Sequence, residues 1–106
     1  MAKQHNKLVR DKIPEIIAAN GDTSHTRTLE GKAFKNAHRD KLLEEAREVV
    51  GADDEKLIEE LADVQEVIQA LISECDFDTQ AVNEMQKRKR EDRGGFEDGV
   101  FLESTA

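Results

Sequence analysis

"LLEEAREVVGADDEKLIEELADV", residues 42–64, places two helix-forming stretches on either side of a Gly-Ala-Asp-Asp break. Gly51 can end the first helix, and the Asp53 side chain can cap the second. A connection this short makes the two helices antiparallel neighbours. The same stretch carries two acid pairs, Glu45/Glu48 and Glu60/Asp63, each one helical turn wide. At about 100° per residue, Glu45 falls inside the apolar arc of Phe34, Ala37, Leu42 and Val49, and Glu48 falls next to Ala37. Glu60 lies between Val64 and Val67, with Asp63 just beyond, so both flank the next helix's apolar stripe. Glu59 and Glu66 point away from it.

Working outward, the first of these helices is expected from about Lys32 to Val50, with Ala46 on the same arc as Phe34 and Val49. The second runs to about Cys75, on a stripe of Leu57, Leu61, Val64, Ile68, Leu71, Ile72 and Cys75 at 3.6 spacing. A last helix starts at "FDTQAV", with Asp78 as N-cap and Phe77 with Val82 as a hydrophobic staple, and stops at Gly94-Gly95. A short first helix lies in "LVRDKIPEIIAANG", with Asp11 as its cap, Pro14 in its first turn and Asn20-Gly21 as its stop. Residues 22–31 read as a polar loop. A two-stranded β element is expected to join Thr26–Leu29 to the far end, residues 99–103.

With 106 residues the chain is expected to form one domain, 1–106, all-α, a four-helix-type antiparallel bundle. Charged residues make up 38% and hydrophobic ones 37%, so apolar side chains must concentrate on narrow faces, and a second copy is expected to complete their burial. A homodimer or higher homo-oligomer follows. The net charge of −8 argues against nucleic acid as a partner, because a polyanion needs a positive field to displace its counterions. With four Phe and neither Trp nor Tyr, little surface is offered for stacking bases. Cys75 is the single thiol, which excludes an internal disulfide. "MAKQHNKLVRDK" has no apolar leader segment, and no apolar run is long enough for a membrane, so a cytoplasmic location is expected.

Burying several unpaired carboxylates costs several kcal/mol each, on the order of what a small domain has to spare, so the four acids call for a positive partner. Two antiparallel helices offering acids at i and i+3 converge four oxygen donors on one volume. All-oxygen ligation suits Mg²⁺ or Mn²⁺, whereas Zn²⁺ or Cu²⁺ more often comes with His or Cys. A di-iron bundle would pair a Glu with a His three residues later, and no such motif occurs. The competing reading makes the acids partners of Lys41 and Arg47. His38, on the Glu45 side two turns away, is read as a partner or an exposed residue rather than a ligand.

"QKRKREDRGGFEDG", residues 86–99, is the concentrated basic stretch. Cations at a helix C-terminus suit the macrodipole, but Lys89 and Arg93 also prolong the stripe of Val82 and Met85 and so leave the core at its rim. Beside a carboxylate-held metal they would suit a di- or triphosphate. "NKLVRDK" adds Lys7, Arg10 and Lys12.

"EEAREV" followed by "EELADV" resembles the EExxE…ExxD pattern of the all-α nucleoside triphosphate pyrophosphohydrolases, the MazG-like and phosphoribosyl-ATP pyrophosphohydrolase-like superfamily. "NKLVRDKIPEII" and "RGGFEDGVFLE" are similar to its small stand-alone house-cleaning branch, so the likeness spans nearly the whole chain. The resemblance implies Mg²⁺ held by Glu45, Glu48, Glu60 and Asp63, with Glu44 as an accessory acid. It also implies cleavage of a nucleoside triphosphate to monophosphate and pyrophosphate by a bundle completed on dimerisation. Only 11 residues separate Glu48 from Glu60, slightly fewer than is usual there. Base recognition has no Trp or Tyr to rest on, and Phe34 and Phe96 are expected in the core.

The expected chemistry is metal-assisted hydrolysis of a phosphoanhydride, with Arg10, Lys12, Lys89 and Arg93 binding substrate. Either the metal lowers the pKa of the attacking water, or Glu44 or Glu45 accepts its proton. A non-catalytic helical dimerisation module is the alternative from a different class.

Overall fold

The structure, a computed structural model, describes residues 3–106. Four α-helices follow one another: α1 (Ile13–Ala19), α2 (Gly31–Gly51), α3 (Asp54–Glu74) and α4 (Thr79–Arg93). Pro14 sits in the first turn of α1, and the chain leaves that helix through Asn20 and Gly21, whose φ of +86° is open to glycine without strain. The residue flanking the α1 start is Lys12 and no side chain caps it, so Asp11 does not cap the helix as expected. The N–H of Ile13 bonds instead to the carbonyl of Arg10, at 3.1 Å, so a backbone turn closes this end.

The hairpin of α2 and α3 is the body of the protein. Each helix has 21 residues, and only Ala52 and Asp53 lie between them, so the two pack antiparallel along their length. Asp53 accepts a hydrogen bond from the Lys56 N–H at 3.1 Å, and Asp78 does the same for Gln80 at 2.9 Å, so both predicted caps form. Among the described residues α4 touches only α3, and α1 packs along none of the other helices.

The core is thin. Val67 is the single buried hydrophobic residue among the described positions, while Leu57, Val64, Leu71 and Ile72 are half-buried on the face that α3 turns to α2. Leu61 and Ile68, from the same stripe, stay open, as does Leu43 on α2. The accessible surface is 9861 Å², against about 6,000 Å² for a compact chain of this mass. The radius of gyration is 18.0 Å, against about 13 Å for a compact domain.

No strand forms among the described residues, which overturns the expected pairing of Thr26–Leu29 with residues 99–103. Both segments lack ladder partners, and Val100, Phe101 and Leu102 stand in solvent. Phe96 is fully exposed rather than in the core. No helix among the described residues is long and apolar enough to cross a membrane.

Candidate metal centre

Hairpin geometry sets the height of each acid. Glu45 is seven residues before Ala52 and Glu60 seven after Asp53, so the two stand level across the α2/α3 interface. Asp63 lies one turn farther from the connection and Glu48 nearly one turn closer to it. The rise of about 1.5 Å per residue therefore sets Glu48 and Asp63 about 9 Å apart along the helices, with Glu45 and Glu60 between them.

Carboxylate oxygens of Glu45, Glu60 and Asp63 lie within 4.8 Å of one another, and all three side chains are half-buried. Glu48 stands outside this group, exposed at its lower edge. Three of the four predicted ligands are thus brought together. The fourth is near enough for its charge to be felt: partial desolvation, then the carboxylates of Glu48, Asp63, Glu45 and Glu59, raise the pKa of Glu60 above its ordinary value.

Three basic side chains border the acids. The Arg10 guanidinium donates to Asp63 Oδ1 at 2.7 Å, tying the N-terminal arm to α3 across 53 positions of sequence. Lys41, mostly buried, lies one turn before the first acid pair and donates to Glu44 Oε2 at 2.6 Å and Glu45 Oε1 at 3.2 Å. Desolvation opposes its charge, but hydrogen bonds and attraction from Glu44 and Glu45 prevail and raise its pKa. Lys7 reaches the other oxygen of Glu44 at 3.2 Å. Held by both lysines, and by Lys41 most strongly, Glu44 has a lowered pKa. A carboxylate so occupied is a poor proton acceptor.

The donor set suits a hard cation. Mg²⁺ takes oxygen ligands at about 2.1 Å in an octahedron, so ligands on one ion stand about 3.0 Å apart when adjacent and about 4.2 Å apart when opposite. Oxygens within 4.8 Å of one another lie close to that range. Neither His nor Cys belongs to the group.

The other predicted site residues lie elsewhere. Lys12 is exposed at the start of α1, and Arg93 is exposed in the last turn of α4. Lys89 lines an apolar groove on α4 that includes none of the four acids. None of the three forms an ion pair with a described residue. Arg47 does not pair with the acids either, so Lys41 alone supplies the partner that the competing reading expected from both.

The expected pairing of Lys41 has a helix-register cause, since it stands three and four residues before Glu44 and Glu45. The placement of His38 differs from expectation. His38 is buried, its ring centroid 4.4 Å from that of Phe34, and its Nδ1 has no hydrogen-bond partner among the described residues. It is neither exposed nor a partner of the acids.

Searches against family models, curated proteins and solved structures found no match to this chain. Any functional reading therefore rests on the residues themselves.

Proposed function

We propose that the protein is a Mg²⁺-dependent nucleoside triphosphate pyrophosphohydrolase, releasing nucleoside monophosphate and pyrophosphate, and that it acts in house-cleaning of non-standard or excess nucleotides. The observation that carries this reading is the convergence of Glu45, Glu60 and Asp63 from two helices on one volume bordered by Arg10 and Lys41. Mn²⁺ is an acceptable substitute, because the donors are all oxygen.

Glu45, Glu60 and Asp63 hold the cation, with Glu48 next in reach through its closeness to Glu60. The bound ion supplies charge neutralisation at phosphate oxygens and a lowered pKa for the attacking water. Arg10 is the first candidate for a phosphate contact, since its fork already sits on a carboxylate at the edge of the cluster. Lys41 stays protonated and fixes Glu45. Glu44, saturated by two lysines, holds that scaffold, which leaves Glu45 ahead of it as proton acceptor. Lys12, Lys89 and Arg93 keep a substrate role in an assembled form, where a second copy brings its helices to the acids. The exposed apolar side chains of the hairpin, Leu43, Leu61 and Ile68, give that assembly its seam.

To test the reading, protein stripped of metal and reloaded with Mg²⁺ or Mn²⁺ is given a panel of canonical and damaged nucleoside triphosphates. Pyrophosphate and orthophosphate are detected separately. Pyrophosphate released with monophosphate supports it, as does loss of turnover in Glu45→Gln and Asp63→Asn. No turnover across the panel counts against it, and full activity in both variants overturns the ligand assignment.

A non-catalytic dimerisation module is the second reading. It draws on the same exposed apolar surface and on the ion pairs that already satisfy Asp63 and Glu45. It requires melting behaviour indifferent to metal and nucleotide.

A further inference from the structure

Along α4, Phe77, Ala81 and Met85 succeed one another at four-residue spacing, and with Val82 they line an open apolar groove of about 550 Å³. No described residue covers it: Phe77 is 62% exposed, Met85 50% and Val82 38%. The segment that follows the helix has the matching defect. Phe96, Val100, Phe101 and Leu102 are 100, 90, 85 and 75% exposed. The groove itself is neutral, with Asp78 against Lys89, but the end of α4 beyond it and the segment carry opposite charge. Residues 87–93 hold Lys87, Arg88, Lys89, Arg90 and Arg93 against Glu91 and Asp92, a net +3, while residues 96–103 hold Glu97, Asp98 and Glu103 and no cation, a net −3.

Their lengths agree as well. From Thr79 to Lys89 the helix rises about 15 Å, and the stretch from Gly95 to Leu102 spans at most about 25 Å when extended. The tail does not close on its own helix. Its root is pinned at the helix end, where Arg90 Nη2 meets Glu97 Oε1 at 2.8 Å. Gly94, at φ +83°, turns the chain there, and a Cβ on Gly95 would run into the Arg90 guanidinium and the Glu97 carboxylate. Gly99, at φ +65°, turns it again ahead of the apolar triplet.

We propose that the C-terminal segment of one copy, led by Phe101, seats in the α4 groove of a second copy, in a reciprocal exchange about a two-fold axis. Such an exchange satisfies two tails and two grooves at once. The two Phe side chains alone remove about 300–500 Å² per tail from water. With the aliphatic neighbours and both grooves, the contact reaches the roughly 1,200–2,000 Å² of a specific interface. Lys87 and Arg88 of α4 then stand against the acids of the partner's tail. This contact is separate from the α2/α3 seam and does not depend on the hydrolase reading.

Cross-linking in trans tests it. In a Cys75→Ser background, which removes the sole thiol, Met85→Cys and Phe101→Cys are made as separate proteins of different tag length, checked for unchanged helicity, mixed and oxidised with glutathione disulfide. The expected product is a reducible heterodimer, at least fivefold over either homodimer. A Met85→Cys/Phe101→Cys double variant that closes within one chain, with no heterodimer on mixing, overturns the exchange in favour of a tail folded on its own helix. Absence of both products overturns it in favour of a tail that seats nowhere on α4.

Discussion

Asp63→Asn separates a metal centre from a set of ordinary surface acids. In the metal-free chain the substitution removes an exposed ion pair with Arg10, worth about 0–1 kcal/mol, and also removes repulsion from Glu45 and Glu60, whose oxygens lie within 4.8 Å. These effects oppose each other, so the metal-free melting temperature moves by only a few degrees. With metal the balance changes. At a free Mg²⁺ or Mn²⁺ concentration ten times Kd, binding to the native state adds about 1.4 kcal/mol, roughly 6–11 °C for a domain of this size.

Asn keeps the shape of Asp but takes one of three converging charges from the donor set. If that weakens binding tenfold, which is about 1.4 kcal/mol, the gain at the same metal concentration falls to about 0.4 kcal/mol, roughly 2–3 °C. The assay is differential scanning calorimetry on chelator-treated protein, with Mg²⁺ and Mn²⁺ titrated against a choline chloride control of equal ionic strength. Two results would refute the reasoning: a wild-type melting temperature that neither ion raises above the control, or an Asp63→Asn variant that keeps the whole gain.

Glu60→Gln raises the metal-free melting temperature at neutral pH, because the desolvation and then the like charges that raise the Glu60 pKa do not penalise a neutral amide in the same way. A raised folded-state pKa means that the ionised group costs stability at neutral pH and that the cost vanishes below the ordinary value near 4.5. Melting scans from pH 4 to 7 should therefore show the variant's advantage opening as pH rises, and narrowing in high salt. Lys41→Met lowers stability by about 1–2 kcal/mol, since it leaves Glu44 and Glu45 without their mostly buried partner; urea unfolding reads this as a lower midpoint at unchanged slope. Arg10→Gln frees Asp63 from its 2.7 Å partner, so calorimetric titration should give tighter Mn²⁺ binding, and a titration with a non-hydrolysable triphosphate should give weaker nucleotide binding.

The helix ends legible in the sequence are those that carry local chemistry: Asp53 and Asp78 cap and Gly94 stops α4, whereas α2 runs through Gly51 to Ala52 and the starts of α1 and α2 have no side-chain cap. The level meeting of Glu45 with Glu60 was legible for a related reason, since a two-residue connection fixes the register of the helices it joins. Register also decides what the angular pattern misses. Glu48 shares the face of Glu45 in projection but sits too near the connection to join Asp63, a displacement along the axis that a helical wheel does not contain. Arg10 reaches Asp63 across the chain, and no local period encodes such a contact. The β pairing of Thr26–Leu29 with residues 99–103 failed on the same ground, because it joined two composition-matched segments that nothing in the fold brings together.

Magnitudes decide what holds this protein together. The chain exposes 9861 Å², which is about 3,900 Å² more than a compact chain of its mass. Covering even a third of that excess, a little over half of it apolar, is worth about 20 kcal/mol at 25 cal/mol per Å², before an association cost of about 4–15 kcal/mol. The metal supplies about 1–3 kcal/mol at practical concentrations. On the proposed reading, assembly is therefore the larger source of stability and the cation the smaller. Both act on the native state, so their effects add in the logarithm: the melting temperature should rise with protein concentration in chelator, and metal should add its increment at each concentration. A thin core and a crowded acid cluster are then not two defects of one chain. The α2/α3 hairpin leaves one apolar face open, which the proposed second copy would cover, and holds its carboxylates between its own helices, where the proposed ion would reach them.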